Sequence, residues 1–279
     1  MARRGHKVKV VSPKPRPAWF SVDAEFIQTH GLDPGEIPPA DVTVATYWTT
    51  IRPAIAGASG EVVHYCQGFE ASYTHNTADH PAILAAYAEK IPAFALSPHL
   101  GRLVRERFAR PSRVVPLALE PHWFDGWSWR WRPRRRPRVL VTSPFEIDWK
   151  GVPTSLEAVR GLRRDGLELT LVRLSQWPLA TAERELLVPD EFHEHVLPAH
   201  VPELMRGCDL LLAASWEQEG FGMPVLEAMA CGVPVVASDI ACFRDFASPA
   251  ARLVRFDDPG WFSPRRRARS WARPGCGAR

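Results

Sequence analysis

Short, nearly continuous apolar runs recur along the chain, spaced by stretches with helical periodicity. In the first half, strands are expected at Lys7 to Val11, Asp41 to Thr46, Glu61 to Tyr65, Pro92 to Ser97 and Arg113 to Leu117. His80 to Lys90 predicts a helix, and so does Pro98 to Phe108, where Leu100, Leu103, Val104 and Phe108 share one face. Residues 13 to 40 are rich in proline and weak in period, which predicts an irregular connection; MARRGH reads as a helix end closed by Gly5. In the second half, strands are expected at Arg138 to Ser143, Leu167 to Ser175, Glu194 to Leu197, Asp209 to Ala214, Val233 to Ala237 and Arg252 to Phe256. Between them lie a helix from about Thr154, with Thr154 and Glu157 at capping-box spacing, a short one over Val201 to Cys208, one in VLEAMAC and one near Cys242 to Ala247.

Strands that are apolar throughout bury both faces, and their alternation with helices predicts an α/β fold of parallel, doubly wound sheets. Four regions follow. Residues 1–118 form a first Rossmann-like domain, 119–137 a linker rich in Trp, Arg and Pro, 138–256 a second Rossmann-like domain, and 257–279 a disordered Arg-rich tail.

The stretch Ser215 to Asp239, SWEQEGFGMPVLEAMACGVPVVASD, carries the most chemistry. A strand leads into Gly220 and Gly222, then into a helix with Pro224 in its first turn and Gly232 just past its end. Helix tips expose unpaired N–H groups at the positive end of the peptide dipoles, and glycines let a ligand close to the backbone, so a phosphate is a natural guest. Glu219 and Glu227 frame this loop. Carboxylates repel phosphate but accept hydrogen bonds from hydroxyls, which suits a ligand carrying sugar, diphosphate and ribose in series. Taken by themselves, two glutamates are as readily solvated surface charges.

This segment resembles the E-x7-E signature of the retaining GT-B glycosyltransferases, the large group 1 family that includes sucrose synthases and many bacterial mannosyl-, glucosyl- and rhamnosyltransferases. A coarser resemblance in the order of motifs extends over roughly residues 5 to 256. It implies two facing Rossmann-like domains with the donor between them, held mainly by the second. It also implies that Glu219 contacts the transferred sugar, that Glu227 contacts the ribose, and that the backbone of Gly220, Phe221, Gly222 and Met223 lies near sugar and diphosphate. The pair Lys150-Gly151 matches the family's diphosphate-binding K-G, although Pro144 and Phe145 stand where an arginine usually precedes it. Lys150 and Glu219 are therefore the catalytic candidates, the lysine neutralising the leaving group. His64, Gln67 and Glu70, on or just after a first-domain strand, are the acceptor-side candidates.

No strand and glycine loop precede MARRGH as the resemblance implies, and the family's closing helices have no counterpart after Asp257. The expectation is a chain truncated at both ends, with its first domain lacking its first strand. An alternative is a catalytically impaired remnant that binds a nucleotide or a partner only.

Composition narrows the classes. The formal net charge is +4, but the arginines cluster at 130–138 and 265–273, and the intervening body is nearly balanced. No nucleic-acid fold signature accompanies them, so nucleic acid is not an expected partner. The expected partners are a nucleotide sugar and a glycan or lipid-linked acceptor. The five cysteines, Cys66, Cys208, Cys231, Cys242 and Cys276, are scattered without C-x-x-C spacing, which predicts neither a metal cluster nor a disulfide framework. No metal and no cofactor are expected; the nucleotide sugar is a substrate. No run approaches the roughly 18 apolar residues of a membrane span, and no signal peptide is recognisable. A cytoplasmic location is expected, with peripheral contact at the inner membrane face as an additional expectation.

Overall fold

A computed structural model describes residues 1–17, 23–126 and 134–255. The chain divides into two compact units, Met1–Leu117 and Ala118–Arg279. Trp127, Trp129, Trp131, Phe256, Cys276 and the Arg-rich tail lie outside the described residues.

The first unit carries β1 (Lys9–Ser12), β2 (Glu25–Gln28), β3 (Val42–Ala45), α1 (Trp48–Gly57), β4 (Glu61–Cys66), α2 (His80–Tyr87), β5 (Ala93–Ala95), α3 (Pro98–Phe108) and β6 (Ser112–Val114). A parallel pair, β1-β2, stands apart from a parallel sheet ordered β3-β4-β5-β6. Its core gathers Ile51 of α1, Ile83 and Tyr87 of α2, and Leu100 and Val104 of α3, all nearly inaccessible. Two elements differ from expectation. β2 lies in the proline-rich stretch read as irregular, because its half-buried EFIQ has too few apolar positions to show a period. α1 carries Pro53 in its interior, and its sequence contains no helical signal strong enough to override that proline.

The second unit holds β7 (Arg138–Thr142), α4 (Val152–Arg164), β8 (Thr170–Ser175), α5 (Thr181–Leu186), β9 (Glu191–Glu194), α6 (Val201–Arg206), β10 (Leu210–Ala213), α7 (Met223–Ala230), β11 (Val235–Ser238), α8 (Ala241–Phe246) and β12 (Arg252–Val254). All six strands run parallel in the order β12-β11-β10-β7-β8-β9. Side chains alternate across the sheet. Leu140, Val172 and Leu211 face one layer with Met205, Val225 and Phe243, while Val139, Val141, Leu171 and Leu212 face the other with Leu156, Val159 and Leu162 of α4. Each fully buried aliphatic side chain contributes about 1.5–3 kcal/mol, so α4 is held by its stripe. That helix begins at Val152 after Gly151, two residues before the expected start. Thr154 is therefore not its cap, and Glu157 pairs with Arg160 instead of closing a capping box. The strand expected at Glu194 to Leu197 runs instead over Glu191–Glu194. Trp123, read from the sequence as part of the connecting segment, is buried in the core of this unit.

Four free cysteines, Cys66, Cys208, Cys231 and Cys242, are buried. Among the described residues no helix is long and apolar enough to cross a membrane.

Candidate active site

Strand order fixes where a ligand can enter the second unit. From β7 the chain steps to β8 and β9 on one side, then returns to place β10, β11 and β12 on the other. The crossovers therefore diverge between β7 and β10, and a crevice opens beyond the carboxyl ends of those strands. The loop after β7 carries Lys150, and the loop after β10 carries Glu219 and the two glycines.

These loops are stitched together. Trp216 donates its N–H to the Trp149 carbonyl at 2.8 Å. Gly151, at φ +60°, lies so close to the Ala214 carbonyl that a Cβ there would sit 1.9 Å from the oxygen. Gly222 is the cap residue of α7 at φ +85°, and a Cβ on it would meet the Phe243 ring at 2.2 Å. Both positions thus exclude any other residue, for space and for backbone conformation.

The resulting cleft is shallow and open, its roughly 300 Å³ of atom-free space including the solvent at its mouth. Thr142, Ser143, Lys150, Ser155, Glu219 and Gly222 are among the residues lining it. Lys150 Nζ donates to Glu219 Oε2 at 2.8 Å, and Glu219 is almost wholly buried. Lys150 is the only cation among the described residues lining the cleft. The tip of α7 adds the positive dipole end of a helix start, with Pro224 lacking an N–H and the Val225 N–H donated to the Gly222 carbonyl at 3.0 Å. Glu227 lies one turn further along α7, half-buried; burial pushes its carboxyl up to about 7, with Lys150 offsetting part of the rise. Phe221 turns inward and stacks on Phe246, with ring centroids 4.9 Å apart.

Of the sequence-derived candidates, Lys150, Glu219 and Gly222 meet in this one cleft. Gly220 and Phe221 form its loop, and Met223 and Glu227 belong to α7. Thr142, Ser143 and Ser155 were not singled out in the sequence. The hydroxyl of Ser155 is buried without a hydrogen-bond partner, but a lone serine in a helix carries no distinguishing pattern.

The acceptor-side candidates belong to the first unit. Gln67 is exposed and donates to the Thr46 carbonyl at 3.0 Å. His64 and Glu70 are buried, 0% and 2% exposed, so neither side chain is open to a solvent-borne acceptor in this structure. Neither ring nitrogen of His64 has a hydrogen-bond partner, and burial, with Arg110 adding to it, drives its pKa down to about 3. The Tyr87 hydroxyl lies against both the Glu70 carboxyl and the Gly68 carbonyl, the latter at 2.7 Å, and its single hydrogen is shared between them. Burial raises the Glu70 carboxyl above its ordinary range. No group of three His, Cys, Asp or Glu side chains poised for a metal occurs among the described residues.

Residues 136–267 match the family described as glycosyl transferases group 1. The second unit is a group 1 glycosyltransferase domain. Phosphatidyl-myo-inositol mannosyltransferase of Mycobacterium leprae is 33% identical over 135 residues, covering 47% of this chain and 34% of that protein. The chain spans less than half the length of the curated relatives it matches. Sucrose-phosphate synthase from Thermosynechococcus elongatus superposes with a TM-score of 0.63 at 15% identity, over 78% of this chain and 61% of that one. Anabaena HepE in complex with UDP-glucose gives 0.54 at 18% identity, over 73% and 61%. The chain thus has the α/β fold of parallel sheets found in GT-B enzymes.

Proposed function

We propose that the chain moves a sugar from a nucleotide-diphosphate-sugar donor to a hydroxyl acceptor, with retention at the anomeric carbon. The observation that carries this reading is the convergence of Lys150, Glu219 and the tip of α7 on one cleft at the point where the strand order reverses. The similarity to a mannosyltransferase and to a protein solved with UDP-glucose supports the ligand class. Glu219 accepts hydrogen bonds from the sugar and Glu227 from the ribose. Lys150 and the amides from Gly220 to Met223 meet the diphosphate. As the bond to the anomeric carbon breaks, negative charge grows on the departing diphosphate, where a fixed cation and helix tip stabilise it. No side chain is assigned as a covalent nucleophile, and the acceptor oxygen attacks from the face the leaving group vacates. The reading invokes no resident metal or cofactor, and places the acceptor among glycans or lipid-linked glycans of cell-surface synthesis.

One observation favours a second reading, in which the chain binds a nucleotide or a partner without turnover: the lone cation of the cleft is already paired with Glu219. A panel of uridine, guanosine and adenosine diphosphate sugars, scored by protection against thermal unfolding, tests both. A ligand at a hundred times its Kd stabilises by about 2.7 kcal/mol. Protection by one donor, lost in Glu227→Ala, with turnover to a product of unchanged anomeric configuration by NMR, supports transfer. Protection without turnover on any acceptor supports the second reading, and no protection by any member sinks both. Turnover that vanishes with a chelator would overturn the metal-free form of the mechanism.

A further inference from the structure

Beneath the cleft lies a buried ion pair to which the proposed reaction gives no role. Arg173 of β8 is 0% exposed and Glu183 of α5 is 1% exposed. The guanidinium donates through Nε to Glu183 Oε1 at 2.5 Å. Nη2 reaches Glu183 Oε2 at 3.4 Å, and the guanidinium also donates to the backbone: Nη1 to the Val141 carbonyl at 2.7 Å and Nη2 to the Ser143 carbonyl at 2.9 Å. Both carbonyls belong to the carboxyl end of β7, at the floor of the cleft.

Such a pair rarely earns its place through stability alone, since well-packed apolar residues often serve as well in a protein interior. Ser143 supplies a different reason. It sits at φ +84°, a region that a residue with a Cβ enters only when its surroundings hold it there. Its N–H donates to the Leu174 carbonyl at 3.0 Å and its own carbonyl is held by Arg173, so both of its flanking peptides are tied to β8. The next residue is Pro144, and two backbone bonds, Ile147 N–H to Pro144 and Lys150 N–H to Ile147, carry the fixed geometry on to Lys150. A guanidinium suits this task because its planar fork reaches several acceptors at once, which an ammonium cannot do.

We propose that Arg173, neutralised by Glu183, is a positioning residue: it fixes the left-handed turn at Ser143 and thereby sets where Lys150 stands for a diphosphate. The proposal rests on the donor-binding reading above. The test uses the full chain, with UDP, GDP and their sugars as probes. Dissociation constants are measured well below the unfolding temperature, so that only folded protein is compared. Arg173→Met combined with Glu183→Leu removes both charges together, so that neither is left buried and unpaired, while the Val141 and Ser143 carbonyls lose the donor whose role is tested. This double variant is expected to unfold near the wild-type temperature while its affinity for the probe that binds wild type falls about tenfold to a hundredfold, by analogy with residues that orient metal ligands. Arg173→Lys keeps the charge opposite Glu183 but not the fork, and a fall of the same size is expected; if the double variant does not fold, this variant decides. Wild-type affinity in whichever of the two is folded makes the pair a packing feature and overturns the proposal, while the donor-binding reading stands. Failure of wild type to bind any probe overturns that reading and the proposal together.

Discussion

The two units use the same strand-and-helix repeat, yet among the described residues their sheets differ in order. In the second unit β7 has a parallel neighbour on each side, and Val139, Leu140 and Val141 are at most 4% exposed. In the first unit the sheet β3-β4-β5-β6 runs in one direction only, and β3 forms its edge, with Val42 and Val44 52% and 43% exposed. A parallel sheet gathers ligand-binding loops where its crossovers diverge. The continuous six-stranded sheet contains such a point, and the four-stranded one does not. The chemical candidates follow that difference: Lys150 and Glu219 meet at the floor of a cleft, whereas His64 and Glu70 are enclosed by their own core.

The comparison is broken most forcefully at Gly222. Replacing it by alanine adds left-handed strain of roughly 1–2 kcal/mol to a clash with Phe243 worth about 1–3 kcal/mol. Denaturant titration is expected to show a loss of about 2–5 kcal/mol, and protection by nucleotide sugars should vanish. Next in size is the response to acid. His64 is held neutral to about 3, so its favourable contribution is present above its unfolded pKa of 6.5 and is lost as pH falls toward 3. Hydrogen exchange followed peptide by peptide should show the first unit weakening across that window, by on the order of 3 kcal/mol, with His64→Phe abolishing the dependence.

Strand position gives the third contrast. Val141→Thr places a hydroxyl in the sealed centre of the larger sheet and should cost about 1–3 kcal/mol, while Val44→Thr on the exposed edge should stay within about 0.5 kcal/mol. Equal losses in parallel denaturant titrations would mean that β3 is covered in solution. The smallest effect is the opposite pH response of the second unit. Glu227 is raised to about 7 from 4.5, so stability is full below 4.5 and declines as pH rises through 7. Allowing for its partial exposure, the change is on the order of 1 kcal/mol, and Glu227→Gln should flatten it in melting curves taken from pH 4 to pH 8.

Much of this architecture was legible in the sequence because strands buried on both faces announce themselves as apolar runs. RVLVT, LLLA and VVAS fall where they were expected, within a residue or two. β2 was not legible because it is only half-buried, and the start of α4 was misplaced because Gly151, not a polar side chain, caps it. At the site, the glycines and glutamates of 219–227 stood out because their spacing has a chemical meaning. The support beneath them did not. Arg173 reads as an interruption in an apolar strand, and its partner Glu183 sits ten residues away in a helix too short to show a period. Ser143 gives no hint in one dimension of the backbone angle that makes it unusual.

The Lys150–Glu219 bridge has a bearing on what the cleft would refuse. A free phosphate that captured the ammonium would strand a carboxylate in a place nearly closed to water, and a neutral sugar that captured the carboxylate would strand the ammonium. The carboxylate is the costlier of the two to strand, since it is 7% exposed against 22% for the ammonium. Under the proposed function, a guest bringing anionic oxygens and hydroxyl groups in one molecule engages both side chains together, so the contact would discriminate against fragments of such a ligand.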